Sequence, residues 1–550
     1  MADRPIGRAR AALLIAAAVV TAALVIVMVV VAFVDDGEHE PAAPPPTTVP
    51  VGGTLRLGVV GAALPVDPAA AVVTDQGAAV LGDLLWSRLT ATDPTTGELL
   101  PSLAASWEAD AGLTTFTFRL RSDASFSDGS PVTASDVAAS LSRVAALGPT
   151  SLAAGSLSTV TGYAEASSGT LAGVTTPDPA TVVIELTEPV ADLPVLLSAP
   201  AFGVVPAAAA KGERPLLPGP TSGPYAVEGQ TADRLTLRRS SSVPVEAARP
   251  ETVEVQRYDS DDAVAAAWAA GELDLAPLPA DRAASMVPPG VGTVHETPAA
   301  ALWWIAADTT DAALTSAELR RGLARVADRP ALVAETLPGR RPVSGLYPPQ
   351  VPGAVDDACG ALCTPDPAAT TAAVAAAFPD GAPTVLLDTP ENAGPLAASN
   401  AWGTSLSTAG LPTSVRARPP AEYRDGVLTP DRQLFWFGWV GVAPTPEAYL
   451  PALFLTGAPD NVTGFSDPAV DAAIRAARAT ADPAERAAKW AEAERLVLEQ
   501  MPVVPLAQAR NAMAVAEAVQ GFAQRLDGSI AVDRLWLAPP APAAPEEGTS

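Results

Sequence analysis

Lysine, histidine and cysteine are all scarce in this 550-residue chain. It holds two lysines (Lys211 and Lys489), two histidines (His39 and His295) and two cysteines (Cys359 and Cys363). With so few histidines and cysteines, the usual Cys/His metal clusters are excluded, and no metal or cofactor is expected. A His-dependent catalytic triad would have to use His295, in "GVGTVHETP", which reads as a short strand or loop. No G-x-S-x-G elbow, H-E-x-x-H, Walker A or strand-linked G-x-G-x-x-G is found, and nothing singles out a carboxylate pair among 61 acidic residues. Basic charge is scarce too. Thirty-four Lys and Arg against 61 Asp and Glu leave a net charge of −27, which repels nucleic acid and anionic headgroups.

What is present points outside the cytoplasm. Ala11–Val34 holds 24 residues without a charge, about 36 Å as a helix, enough to cross a bilayer. Arg4, Arg8 and Arg10 precede it and Asp35, Asp36, Glu38 and Glu40 follow it. That asymmetry places residues 1–10 inside and the rest outside. A cleaved signal peptide is the rival reading, but the run is long and ends Ala32-Phe33-Val34-Asp35. We read 11–34 as an uncleaved single-pass anchor, 35–51 as a Pro-rich tether and 538–550 as a disordered tail. "CGALC" (359–363) reads as a small disulfide in an oxidising compartment.

Between tether and tail, strands alternate with helices, the signature of α/β lobes. "TLRLGVV" (54–60), "LTTFTFRLR" (113–121), "TVEVQRY" (252–258), "LWWIAAD" (302–308), "PTVLLDT" (383–389) and "RQLFWFGWV" (432–440) read as strands. Helices are predicted over 133–148, 260–271, 315–327, 394–410 and 482–500, the first with Thr133 and Asp136 at capping-box spacing. In the last, Asp482 caps the start and Trp490, Ala493, Leu496 and Val497 form the buried stripe. In "FWFGW", Phe435 and Phe437 share one face and Trp436 and Gly438 the other, so a buried central strand is expected.

Motif order carries a resemblance. "GGTLRLGVVGAALPVDP", "LLPSLAASWE", "FTFRLR", "FSDGSPVTASDV" ending in Arg143, "PTSGPY", "ELDLAPL", "AELRRGLARVADRPALV", "NVTGFSDPAVDAAI", "DPAERAAKWAEAERLVLEQMPVVPL" and "DRLWL" follow one another from about Gly52 to Leu537. In that order they resemble the extracytoplasmic solute-binding proteins of ABC transporters, the large oligopeptide/dipeptide/nickel-binding family (family 5). The resemblance implies an α/β, two-lobed periplasmic-binding-protein (type II, flytrap) fold with an extra subdomain. The first lobe would span 52–300, completed by 507–537, and the second 301–506. It also implies a monomer without turnover that closes on a small-molecule or peptide-like ligand and docks on an ABC permease with its ATPase.

Candidate cleft residues carried by the resemblance are Trp439, Gly441 and Thr445 on the second lobe, Trp303 or Trp304 near the crossover, and Trp86 from the first lobe. Each tryptophan has core packing as its alternative. Peptide-binding members would carry an Asp, to capture the ligand's α-amino group, where this chain has Thr445. A threonine cannot neutralise an ammonium, so an N-blocked peptide or another neutral solute is expected. An envelope sensor that binds a lipid or glycan precursor on the same fold is the alternative role.

Overall fold

The computed structural model describes residues 49–70, 75–148, 151–212, 216–243, 248–288, 290–426 and 432–539. The anchor read at 11–34, most of the tether and most of the tail lie outside them. Among the described residues, no helix is long and apolar enough to cross a membrane.

Two long antiparallel strands organise the molecule, Thr293–Ala307 and Val503–Val515. Their lower halves pair as Thr293–Pro298 with Arg510–Val515, and their upper halves as Leu302–Ala306 with Val503–Gln508. Between Pro298 and Leu302 the register shifts. Pro298 has no N–H to donate, so the ladder is weakest there.

Each half anchors a different lobe. On one side the sheet continues through Leu275–Leu278, Thr54–Val60, Thr252–Tyr258, Arg234–Arg239 and Tyr225–Gln230. On the other it continues through Leu434–Val440, Val385–Pro390 and Thr413–Arg418. The "FWFGW" stretch is therefore an inner strand of the second lobe, with Phe435 and Trp436 buried.

A separate four-stranded antiparallel sheet runs Ala104–Ala109, Thr115–Leu120, Thr181–Glu185, Val174–Asp178. Alternation in "FTFRLR" places Phe116, Phe118 and Leu120 on its buried face. Helix Ala134–Ala145 covers that face, and the Thr133 N–H donates to Asp136 Oδ2 at 2.9 Å. The helix stops at Ala145, short of the expected Gly148. Arg143 pairs with Asp67, tying the segment after strand Thr54–Val60 to this subdomain.

Two helix readings need correction. The helix expected over 315–327 spans Ala317–Ala324, and Ser316, not Thr315, caps it by accepting from the Leu319 N–H. In Pro483–Gln500, Leu496 is only half-buried and Leu498 takes the buried place. Glu494 also faces inward, because its carboxylate accepts from the Leu346 N–H at 2.6 Å.

One continuous buried core runs from the four-stranded subdomain into the second lobe, from Phe118 to Trp490. The first lobe's own sheet has two further cores, one on Leu55, Leu57, Trp86 and Tyr225, the other on Val264 and Trp268.

Candidate functional site

The crossing point of the two long strands is where the lobes meet. The Ala300 carbonyl there accepts from the Gly441 N–H at 3.2 Å and from the Tyr449 hydroxyl at 2.8 Å. Gly441 is required by space: a Cβ at this position would lie 2.2 Å from the Tyr449 ring, which is fully buried. A cavity of about 190 Å³ opens beside this point, between Asp93, Thr95, Thr297 and Arg525 of one lobe and Gln350, Gly441 and Pro444 of the other.

Further out, the subdomain and the second lobe meet through buried charge. Asp192 lies on the subdomain side. Its Oδ2 accepts from the Thr445 hydroxyl at 2.9 Å and from Trp490 Nε1 at 3.2 Å, and its Oδ1 is 3.0 Å from Arg486 Nε. Arg478 joins Glu188 of the subdomain to Glu447 of the second lobe, at 3.0 Å for Glu447. Burial pushes the Glu447 carboxyl up, against the pull of Arg478. Buried charges persist only when paired in this way.

Cavities flank this network. One of about 370 Å³ is lined by Tyr163, Glu188, Trp439, Val442 and Asp460. Another, of about 750 Å³, is lined by Trp107, Asp192, Thr445, Arg486 and Trp490. A further cavity of about 690 Å³ is lined by Asp281, Trp303, Arg340, Arg510 and the start of helix Ala393–Thr408.

The six cleft candidates therefore do not form one cluster. Trp439 lines the 370 Å³ cavity and donates Nε1 to the Ala448 carbonyl at 2.8 Å. Gly441 lines the cavity at the crossing point, Thr445 the 750 Å³ cavity and Trp303 the 690 Å³ cavity. Trp304 and Trp86 line none of these cavities. Trp304 is fully buried, stacked on Phe437 with ring centroids 5.8 Å apart. Trp86 is sealed in the first-lobe core, donating Nε1 to the Val66 carbonyl at 2.9 Å. For both, core packing, the alternative weighed above, accounts for the position.

Trp107 is half-buried and lines a cavity. Asp192, Arg340 and Arg486 carried no sequence signal beyond being charged residues. Glu447, close to Thr445 in sequence, is bound within the network. Cys359 and Cys363 form a disulfide with Cα atoms 5.5 Å apart. His295 lies in strand Thr293–Ala307, its Nε2 3.0 Å from Thr293 Oγ1 and its ring against Phe522. Among the described residues, no group of three or more His, Cys, Asp or Glu is arranged to hold a metal. The arrangement offers cavities and paired charges suited to holding a solute between lobes.

Comparison with known proteins agrees with this architecture. The chain is 26% identical over 435 residues to the probable D,D-dipeptide-binding periplasmic protein DdpA of Escherichia coli (strain K12), covering 76% of this chain and 81% of that one. It is 24% identical over 461 residues to the periplasmic murein peptide-binding protein MppA of the same organism, covering 78% and 82%. Among solved structures, the unliganded open form of the murein tripeptide-binding protein MppA aligns with a TM-score of 0.75 at 20% identity, covering 90% of this chain and 99% of that one. The clavulanic acid biosynthesis oligopeptide binding protein 2 aligns at 0.74 and 24% identity, covering 89% and 96%. The family model for bacterial extracellular solute-binding proteins, family 5 (middle part), matches residues 98–461, and the chain belongs to this family.

Proposed function

We propose that this chain is the membrane-tethered, extracytoplasmic capture component of an ABC importer, which takes a peptide-like or other small solute between its lobes and delivers it to a permease. The observation that carries this is the pair of crossing strands. They are the sheet's link between the lobes, their pairing shifts between Pro298 and Leu302, and residues of both lobes line the cavities beside them. Such a joint supports hinge closure around a ligand, provided the closed form binds it better. The names of the relatives, a D,D-dipeptide binder and a murein peptide binder, favour a peptide-like solute.

Thr445 refines the ligand. The nearest carboxylate, Asp192, is already held by Arg486, Trp490 and Thr445 itself. Asp192 is therefore not free for an incoming ammonium, which supports an N-blocked peptide or a solute without an amine. A thermal-shift screen of residues 49–550 tests this with free L,L- and D,D-dipeptides, their N-acetyl forms and simple sugars. A ligand at 100 times its Kd stabilises by about 2.7 kcal/mol. Strong stabilisation by unmodified dipeptides would sink the N-blocked reading. N-terminal sequencing of the protein from membranes tests the tether, and a mature start near residue 35 would refute it.

A further inference from the structure

In a chain of net charge −27, most arginines near the lobe boundary are bound to carboxylates or carbonyls. Arg340 is different. Its guanidinium carbon lies 4.5 Å from the centroid of the Trp303 ring, and among the described residues no carboxylate lies within ion-pairing distance of it. Asp281 and Glu335 line the same cavity, but both are exposed at its rim. Burial pulls the Arg340 guanidinium below its ordinary range, with Asp281 opposing. An arginine nonetheless stays protonated in a protein. The result is a half-buried cation whose forked donors face a cavity of about 690 Å³.

Its surroundings are shaped to hold it there. Trp303 pairs in register with Gly438 on the neighbouring strand. A Cβ at Gly438 would lie 2.9 Å from Trp303 Cδ1 and 3.0 Å from its Nε1, so only glycine lets the indole lie across this strand. A Cβ at Gly394 would lie 3.4 Å from Arg340 Nη1. The indole face then supports the guanidinium by cation–π contact and fixes its plane. Ala280 and Asp281 follow the first-lobe strand Leu275–Leu278, Arg510 comes from a crossing strand, and Trp303, Arg340 and Gly394 belong to the second lobe. A molecule in this cavity would touch both lobes.

We propose that Arg340, held face-on by Trp303, is the receptor for a carboxylate on the captured solute. This deepens the solute-binding reading and rests on it. A guanidinium fork matches a carboxylate bidentately, and the bond is worth most where water is partly excluded. With Asp192 already held beside Thr445, the ligand class is an acid whose amine is blocked or missing, such as an N-acyl peptide with a free C-terminus.

The test uses the full chain in detergent with two probes, N-acetyl-alanyl-alanine and its C-terminal amide, read by tryptophan fluorescence and thermal shift. The acid is expected to bind about 10- to 100-fold more tightly than the amide. Arg340→Gln should erase that difference while keeping the wild-type circular dichroism. Arg340→Lys should restore part of it, since charge returns without the fork. Trp303→Phe, which keeps an aromatic face, should weaken the acid only modestly. Equal binding of acid and amide, or an unchanged preference in Arg340→Gln, would overturn the carboxylate assignment and leave solute capture standing. Failure of both probes at millimolar concentration, together with failure of every solute in the wider screen, would count against both readings.

Discussion

Thr445 and Asp192 are 253 residues apart in sequence, yet the threonine hydroxyl donates to the aspartate at 2.9 Å in a buried contact between subdomain and second lobe. The bond gives Thr445 a structural partner at the place where a ligand-capturing acid was expected. It also makes Asp192 the shared acceptor of three groups, with Arg486 and Trp490.

Removing that acceptor should be costly. Asp192→Ala leaves the Arg486 charge and the Trp490 N–H without their partner. Breaking a buried pair in this way costs about 3 kcal/mol. Thr445→Ala, which removes one donor only, should cost about 1 kcal/mol. Urea denaturation of the two variants checks the ratio; equal small losses would mean the contact contributes little in solution.

Gly441 offers a steric test of the crossing point. Gly441→Ala would drive a methyl group to 2.2 Å from the Tyr449 ring, whose hydroxyl holds the Ala300 carbonyl. With Tyr449 fully buried, the ring has nowhere to retreat. A loss of about 3 kcal/mol is expected. Tyr449→Phe removes only the hydroxyl and should cost about 1 kcal/mol. A Gly441→Ala protein with the wild-type melting temperature would contradict this packing.

The elements were legible in the sequence because their causes are local. Alternation in "FTFRLR" and "LFWFGWV" reports which face is buried, and Asp482, Thr133 and Asp136 announce their helices by spacing alone. The site was less legible because its partners come from distant parts of the chain. Nothing around Asp192 signals that Thr445, Arg486 and Trp490 converge on it. In "FWFGW" the aromatics drew attention, but Gly438 shapes the cavity by making room for Trp303. Trp86 and Trp304 show the converse: a tryptophan in a suggestive place can be wholly core.

Glu494 gives the chain a pH dependence. Burial pushes its carboxyl from an ordinary 4.5 up to about 7, and the bond from the Leu346 N–H only partly offsets this. Between those values the folded protein holds a proton that the unfolded chain has lost. Stability should therefore fall as pH rises through that window and level off above it. The full effect is bounded at about 3 kcal/mol. Glu494→Gln keeps an acceptor for Leu346 without the charge, so it should make the profile shallower between about pH 4.5 and pH 7, with Glu447 supplying a slope of the same sign that remains. A parallel profile in that variant would place the titration elsewhere.

Thr445→Asp distinguishes an open receptor from a closed contact. If position 445 faced a free cleft, an added carboxylate would create an ammonium site, and free dipeptides would gain affinity. The 2.9 Å contact predicts otherwise. The new carboxylate would face Asp192, whose ion pair with Arg486 is already made, and two buried like charges at that distance do not both stay ionised. The variant should lose about 2 kcal/mol or more. Amide exchange around Glu188–Asp192 should speed up, and free dipeptides should gain nothing. The double variant Asp192→Asn with Thr445→Asp returns a donor–acceptor pair of opposite sense and should recover part of the loss, a coupling readable in a double-mutant cycle. A gain in dipeptide affinity by Thr445→Asp alone, with exchange unchanged, would show that the two residues do not meet in solution.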